Sequence, residues 1–147
     1  METLKIKKVR ENAVVPRRAT KGSAGMDLYA CIEEAVTVNP HECVKIPTGI
    51  AIALPSENYG AFIFARSGLS INHGLAPVNC VGVVDSDYRG EVIVGLVNQF
   101  SEPYTVEPGE RIAQMVIMPV SLMPAEECDS LDETDRGEGG FGSTGKK

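Results

Sequence analysis

What most restricts this chain is an apolar pattern of period two, broken again and again by turn signals before any helix could complete. Leu4 and Ile6 alternate with lysines; Ile50, Ile52 and Leu54 share one side of an extended segment, and Phe62 and Phe64 share one side of the next. Val92, Val94 and Leu96 alternate with Ile93 and Val97, and Ile112, Val116 and Met118 repeat the pattern after Arg111. Period two is the signature of strands that send alternate side chains into a core. Between the runs stand Asn39-Pro40, Pro47-Thr48-Gly49, Asn58-Tyr59-Gly60, Asn72-His73-Gly74, Arg89-Gly90 and Pro108-Gly109, each a turn signal. Only about Ser67 to Asn72 permits helix, enough for one short helical turn. Many short strands at this spacing predict an all-β sandwich or barrel. A jelly roll is the expected arrangement, although strand pattern alone does not separate it from other β-sandwiches.

The pattern stops at Pro124. Residues 125–135 are acidic and poor in apolar side chains, and residues 136–147 are largely glycine and small polar residues. Such a segment buries too little to offset the entropy of ordering it. The expected organisation is a core over 1–124 and a flexible C-terminal tail over 125–147, ordered by a ligand.

Charge and cysteine usage exclude several functions. Twenty acidic against 14 basic residues give a net charge of −6, which argues against a nucleic-acid-binding face. Any anionic ligand needs local arginines or a metal ion, since the long-range field repels it. Cys31, Cys43, Cys80 and Cys128 form no CxxC pair and have only His41 and His73 for company, so a zinc site is not expected. Reduced, mostly buried thiols in a cytoplasmic protein are. No signal peptide or membrane-length apolar run is present.

In the tail, Gly137-x-Gly139-x-x-Gly142 satisfies a dinucleotide fingerprint, and Gly140 to Lys146 most of a Walker A loop. Both require a strand before and a helix after, and neither context exists here. The same residues still suit an anion: glycine N–H groups, the Ser143 and Thr144 hydroxyls and the Arg136 guanidinium can all donate to phosphate oxygens. Phe141 can stack on a ring. Arg66-Ser67-Gly68, where a strand gives way to a helical turn, offers a guanidinium, a hydroxyl and backbone donors together. From Gly82 to Val92 an apolar strand runs into a polar tip and returns, which predicts a hairpin. Asp85, at the end of the apolar strand, is expected to be partly shielded and to serve as a general base, while Asp87 fits an ordinary turn carboxylate.

Five separated blocks in one order are far more specific than any of these alone. Ala24-Gly25-Met26-Asp27-Leu28-Tyr29-Ala30, Arg66-Ser67-Gly68-Leu69, Gly82 to Gly90, Gly109-Glu110-Arg111-Ile112-Ala113-Gln114 and Arg136 to Gly145 resemble the five motifs of the dUTP diphosphatases. Met26 and Ala65 depart from residues frequent in that family, at positions that carry no reacting group. The resemblance implies a jelly-roll homotrimer, with each active site drawn from more than one subunit, that hydrolyses dUTP to dUMP and pyrophosphate. Such an activity limits uracil incorporation into DNA and supplies dUMP for dTTP synthesis. It implies that Asp85 activates the water attacking the α-phosphorus, and that backbone near Asn79, Gly82, Val83 and Val84, with Ile93 facing, reads uracil. Tyr88 would lie under deoxyribose and exclude a 2′-hydroxyl. Arg66, Ser67, Gly68 and Gln114 would hold the triphosphate. Arg136, Gly142, Ser143 and Thr144 would cover its γ-phosphate while Phe141 stacks on the base. Mg²⁺ would be held mainly by phosphates, with Asp27 orienting one of its waters. The dCTP deaminases share the fold, but look to carry a catalytic Glu where this chain has Gly95 and a Trp where it has Tyr88. A catalytically silent nucleotide-binding module on the same scaffold is the other alternative, to be told apart by binding without pyrophosphate release.

Overall fold

In the computed structural model, which describes residues 2–140, the strands are β1 (Lys5–Lys8), β2 (Met26–Tyr29), β3 (Val36–Val38), β4 (Cys43–Ala53), β5 (Tyr59–Phe64), β6 (Leu75–Pro77), β7 (Gly82–Val84), β8 (Glu91–Asn98), β9 (Tyr104–Val106) and β10 (Arg111–Pro119). One helix, α1 (Ser67–His73), follows β5 and ends at Gly74 in the left-handed region. Two four-stranded antiparallel sheets, ordered β1-β4-β8-β6 and β2-β10-β5-β7, form a jelly-roll sandwich, and β3-β9 makes a small ribbon beside them. Between the sheets, Ile46, Ile50, Ile52, Val92, Val94 and Leu96 from one side meet Leu28, Ala61, Ile63, Ala113 and Met115 from the other. Aliphatic side chains thus fill the interior of a chain that has no tryptophan.

The alternation holds, but its phase is not constant. In β5 it is Ala61 and Ile63 that enter the core, while Phe62 and Phe64 are half-buried on the outer face of their sheet. Along β10 the register against β2 slips between Arg111 and Ala113. An extra residue there flips every later side chain to the opposite face. Ile112 is therefore buried together with Ala113 and Met115, whereas Val116 and Met118 lie outside, contrary to the expectation that Ile112, Val116 and Met118 would share one side. The thiols are a second correction. Cys31 is buried, but Cys43, Cys80 and Cys128 are exposed, and all four are free.

A second slip, in β4 between Pro47 and Ala51, turns on Gly49 at φ 71°. A Cβ on Gly49 would come within 2.6 Å of the Ala13 Cβ and 2.7 Å of the Cys31 Sγ. Both neighbours belong to the core, so relief needs backbone movement. Gly49→Ala is expected to lower stability by about 1–3 kcal/mol, seen as a reduced urea midpoint. An unchanged midpoint would mean that the site accommodates a methyl group.

Beyond β10 the Val120 N–H donates to the Asn58 carbonyl at 2.9 Å, and residues 121–138 are exposed with no strand or helix. Hydrogen bonds in this stretch are internal among the described residues, such as Arg136 Nε to the Gly139 carbonyl at 2.9 Å.

Candidate active site

β7 and β8 do not pair with each other. β7 is the edge strand of the second sheet, bonded only to β5, while β8 lies between β4 and β6 in the first. The predicted hairpin is therefore a connection, residues 85–90, that crosses from one sheet to the other. Where the sheets part, a cleft of ≈ 190 Å³ opens, and Asn79, Gly82, Val83, Val84, Tyr88 and Ile93 all line it. The residues of the core expected to meet a base or its sugar thus line one cleft. The cleft is open: Val83 is 63% exposed, Tyr88 45% and Ile93 50%. Because β7 is an edge, one side of its backbone carries donors and acceptors without a ladder partner, set at fixed spacing beside an apolar wall. Gly82 keeps the wall low, since a Cβ there would sit 3.1 Å from the Ile63 Cβ.

Tyr88 folds back over Gly90 and its hydroxyl donates to the Glu91 carbonyl at 3.1 Å. A Cβ on Gly90 would collide with that hydroxyl. The Glu91 carboxylate accepts from Arg10 Nε at 2.6 Å, from Arg10 Nη2 at 2.9 Å and from the Gly49 N–H at 2.9 Å. The hydrogen bond from Arg10 holds it below the usual carboxylate range.

Asp85 follows β7 directly, but it is exposed rather than partly shielded, and it lines neither cleft. The turn explains the correction: the chain leaves the sheet after Val84, and the Asp85 carbonyl accepts from the Tyr88 N–H at 3.2 Å. No neighbouring strand stands over its carboxylate.

A second cleft, of ≈ 360 Å³, is lined by Asp27, Arg66, Ser67, Gly68 and Gln114 together. Arg66, the residue before α1, donates through Nε to Asp27 Oδ1 at 2.9 Å, and Gln114 donates through Nε2 to the Ala65 carbonyl at 2.9 Å. Gly25 makes room for that amide, since a Cβ there would come within 2.6 Å of Gln114 Oε1. Arg111 also lines this groove and donates to Asp27 Oδ2 at 3.2 Å. The sequence places Arg111 in the fourth block but gives it no role; the need for local positive charge in an acidic protein is the one sequence signal that could have singled it out. With two guanidiniums about one carboxylate, the groove keeps a net positive charge and suits a multiply charged anion.

The two clefts share no lining residue. Arg136 lies in the tail and lines neither of them. Phe141, Gly142, Ser143 and Thr144 lie outside the described residues.

The fold is a jelly-roll β-sandwich with an open cleft beside an edge strand and a separate groove lined by two arginines. The family model named dUTPase matches residues 11–145, and the chain belongs to the dUTPase family. It is 54% identical over 144 residues to a deoxyuridine 5′-triphosphate nucleotidohydrolase of Desulfitobacterium hafniense, covering 97% of this chain and 95% of that one. A Neisseria meningitidis serogroup A enzyme of the same description is 50% identical over 142 residues, with the same coverage of 97% and 95%. Among solved structures, the Staphylococcus bacteriophage 80alpha dUTPase with dUPNHPP superposes with a TM-score of 0.87 at 30% identity, covering 97% of this chain and 98% of that one. A variant dUTPase from phage phi11 of S. aureus, described with a structural Mg(II) ion, gives a TM-score of 0.79 at 25% identity over 89% of this chain and 99% of that one.

Proposed function

We infer that this enzyme hydrolyses dUTP to dUMP and pyrophosphate, removing a nucleotide that would otherwise carry uracil into DNA. Beyond family membership, the observation that carries the reading is the edge strand β7 facing an apolar wall. Uracil presents an acceptor where cytosine presents a donor, so backbone groups fixed for uracil are left unpaired by cytosine. A mismatch of that kind rejects by about four orders of magnitude. Thymine must be excluded sterically, by contact with its methyl group. Deamination of dCTP has no support at Gly95, where a side chain would start 3.1 Å from Val78 Cγ1 and where no proton-relaying group exists.

In this reading Arg66, Ser67, Gly68 and Gln114, joined by Arg111, hold the triphosphate, and Tyr88 takes the deoxyribose. Asp85 accepts a proton from water as the water oxygen bonds to the α-phosphorus; the bond from that phosphorus to the bridging oxygen breaks and pyrophosphate leaves. Arg136, Gly142, Ser143 and Thr144 close over the γ-phosphate, and Phe141 covers the base. A triphosphate carries about four negative charges, more than three guanidiniums neutralise, so a divalent cation is needed as well. Among the described residues Asp27 is the one carboxylate lining the anion groove, and both its oxygens already accept from arginines. No group of three or more His, Cys, Asp or Glu residues suited to a metal exists among the described residues. That donor set fits a hydrated Mg²⁺ held mainly by phosphate oxygens, with Asp27 accepting from one of its waters, and does not fit a protein cage. Bound there, the ion would offset charge developing on the departing pyrophosphate.

Two observations favour a homotrimer with shared sites. The clefts for base and anion are separate within one chain, and the outer face of the second sheet carries the half-buried Phe62, Phe64 and Val116 beside the exposed Val83. Light scattering is expected to give three times 15.7 kDa, and a fully active monomer would remove the shared-site reading. No helix among the described residues is long and apolar enough to cross a membrane, and the proposed location of the reaction is the cytoplasm. The direct test is pyrophosphate release from dUTP, dCTP, dTTP and UTP with and without magnesium. Release from dUTP alone, dependent on the metal, is expected; binding of dUTP without release would assign the chain to a silent nucleotide-binding module.

A further inference from the structure

The connection 85–90 bears both Tyr88 and Asp85, yet all its hydrogen bonds among the described residues stay within 85–91. Its fixed point is Glu91, the first residue of β8. That side chain is gripped from outside: two bonds from Arg10, just past β1, and one from the Gly49 N–H in the slipped turn of β4. The grip is itself tied down. The Val9 and Arg10 N–H groups donate to the Gly49 carbonyl at 2.8 and 3.3 Å, and Thr48 Oγ1 donates to the Val92 carbonyl at 2.5 Å. The Glu91 carbonyl, in turn, is the acceptor for the Tyr88 hydroxyl. One residue therefore couples the N-terminal segment and the β4 slip to the pose of the phenol ring.

We propose that Glu91, clamped by Arg10 and Gly49, is a positioning residue that sets the pose of Tyr88 and so the selection of deoxyribose over ribose. The inference rests on reading the cleft as the base and sugar site. A bidentate guanidinium–carboxylate pair fixes direction as well as distance, and a single lysine contact does not. With the clamp intact, the Glu91 carbonyl stands where the phenol can reach it only by lying across Gly90. With the clamp released, the first residue of β8 can turn, Tyr88 loses its acceptor, and space opens beside C2′ of the sugar. The geometry also accounts for glycine at position 90, where any side chain would displace the phenol.

The test compares kcat and KM for dUTP and UTP in the full-length enzyme carrying Glu91→Gln, Arg10→Met or Arg10→Lys, with the unfolding midpoint read alongside. Glu91→Gln keeps an acceptor for the Gly49 N–H and removes the paired charge. The expected result is a fall of about tenfold or more in the ratio of kcat/KM for dUTP over UTP, through a higher KM for dUTP and a gain on UTP. Arg10→Met should change the ratio in the same direction, and Arg10→Lys should recover part of it. A purely structural clamp would instead lower the midpoint and depress both nucleotides alike, leaving the ratio at its wild-type value, and that result overturns the proposal. Should Glu91→Gln not fold, the ratio in Arg10→Met decides in the same way. Wild-type enzyme that ignores dUTP would refute the reading of the cleft itself, a distinct failure.

Discussion

Asp85→Asn is expected to leave dUTP binding unchanged and to lower turnover by about 10²–10⁴-fold, the usual contribution of a positioned general base. The substitution keeps the size of the side chain and removes only its capacity to take a proton. Its structural cost is expected to be small, because Asp85 is exposed, carries no ion pair among the described residues, and enters the turn through its backbone carbonyl, which Asn retains. Titration with a non-hydrolysable analogue measures binding, and single-turnover pyrophosphate release measures chemistry. Near-normal turnover would move the base to another residue. Weakened analogue binding with normal chemistry would turn Asp85 into a contact to substrate.

Removing everything after Pro124 is expected to yield a folded core that has lost about 100-fold or more of its activity. The fold should survive because, among the described residues, the body makes its last backbone bond to this end of the chain at Val120, and residues 121–138 are exposed. Activity should not survive, because the truncation removes Arg136 together with Phe141, Gly142, Ser143 and Thr144. Those residues carry the donors and the ring assigned to covering the substrate and excluding bulk water. An unchanged unfolding midpoint with collapsed kcat/KM is the expected pair of results. Full activity in the truncated chain would refute the role of the tail.

Local residue order made much of this legible. Period two and turn residues predict β strands, and the one helix-permissive stretch at Ser67 to Asn72 is where α1 forms. Phase is what local order does not carry. Phe62 and Ile63 are both apolar, and only the opposing sheet decides that the smaller pair Ala61 and Ile63 goes in. The slip in β10 is likewise invisible in Arg111-Ile112-Ala113, where it depends on how β2 lies alongside. Strand pairing is the larger gap in what local order carries. Two strands separated by a polar tip resemble a hairpin whether they bond to each other or, as β7 and β8 do, to different sheets. The sequence blocks sort the candidate residues into the two groups that line the two clefts, but local order marks neither Arg111 as a groove residue nor Asp85 as exposed. Both depend on what stands opposite in space.

The separation of the two clefts has a consequence for how damage would spread through the proposed trimer. When a trimer builds each centre from the base cleft of one subunit and the anion groove of the next, a chain crippled in one cleft silences a single centre, while a chain crippled in both silences two. Two kinds of dead chain, each spoiled at a different cleft, can then assemble into a trimer that keeps one wholly sound centre, so neither loss is final for its neighbours.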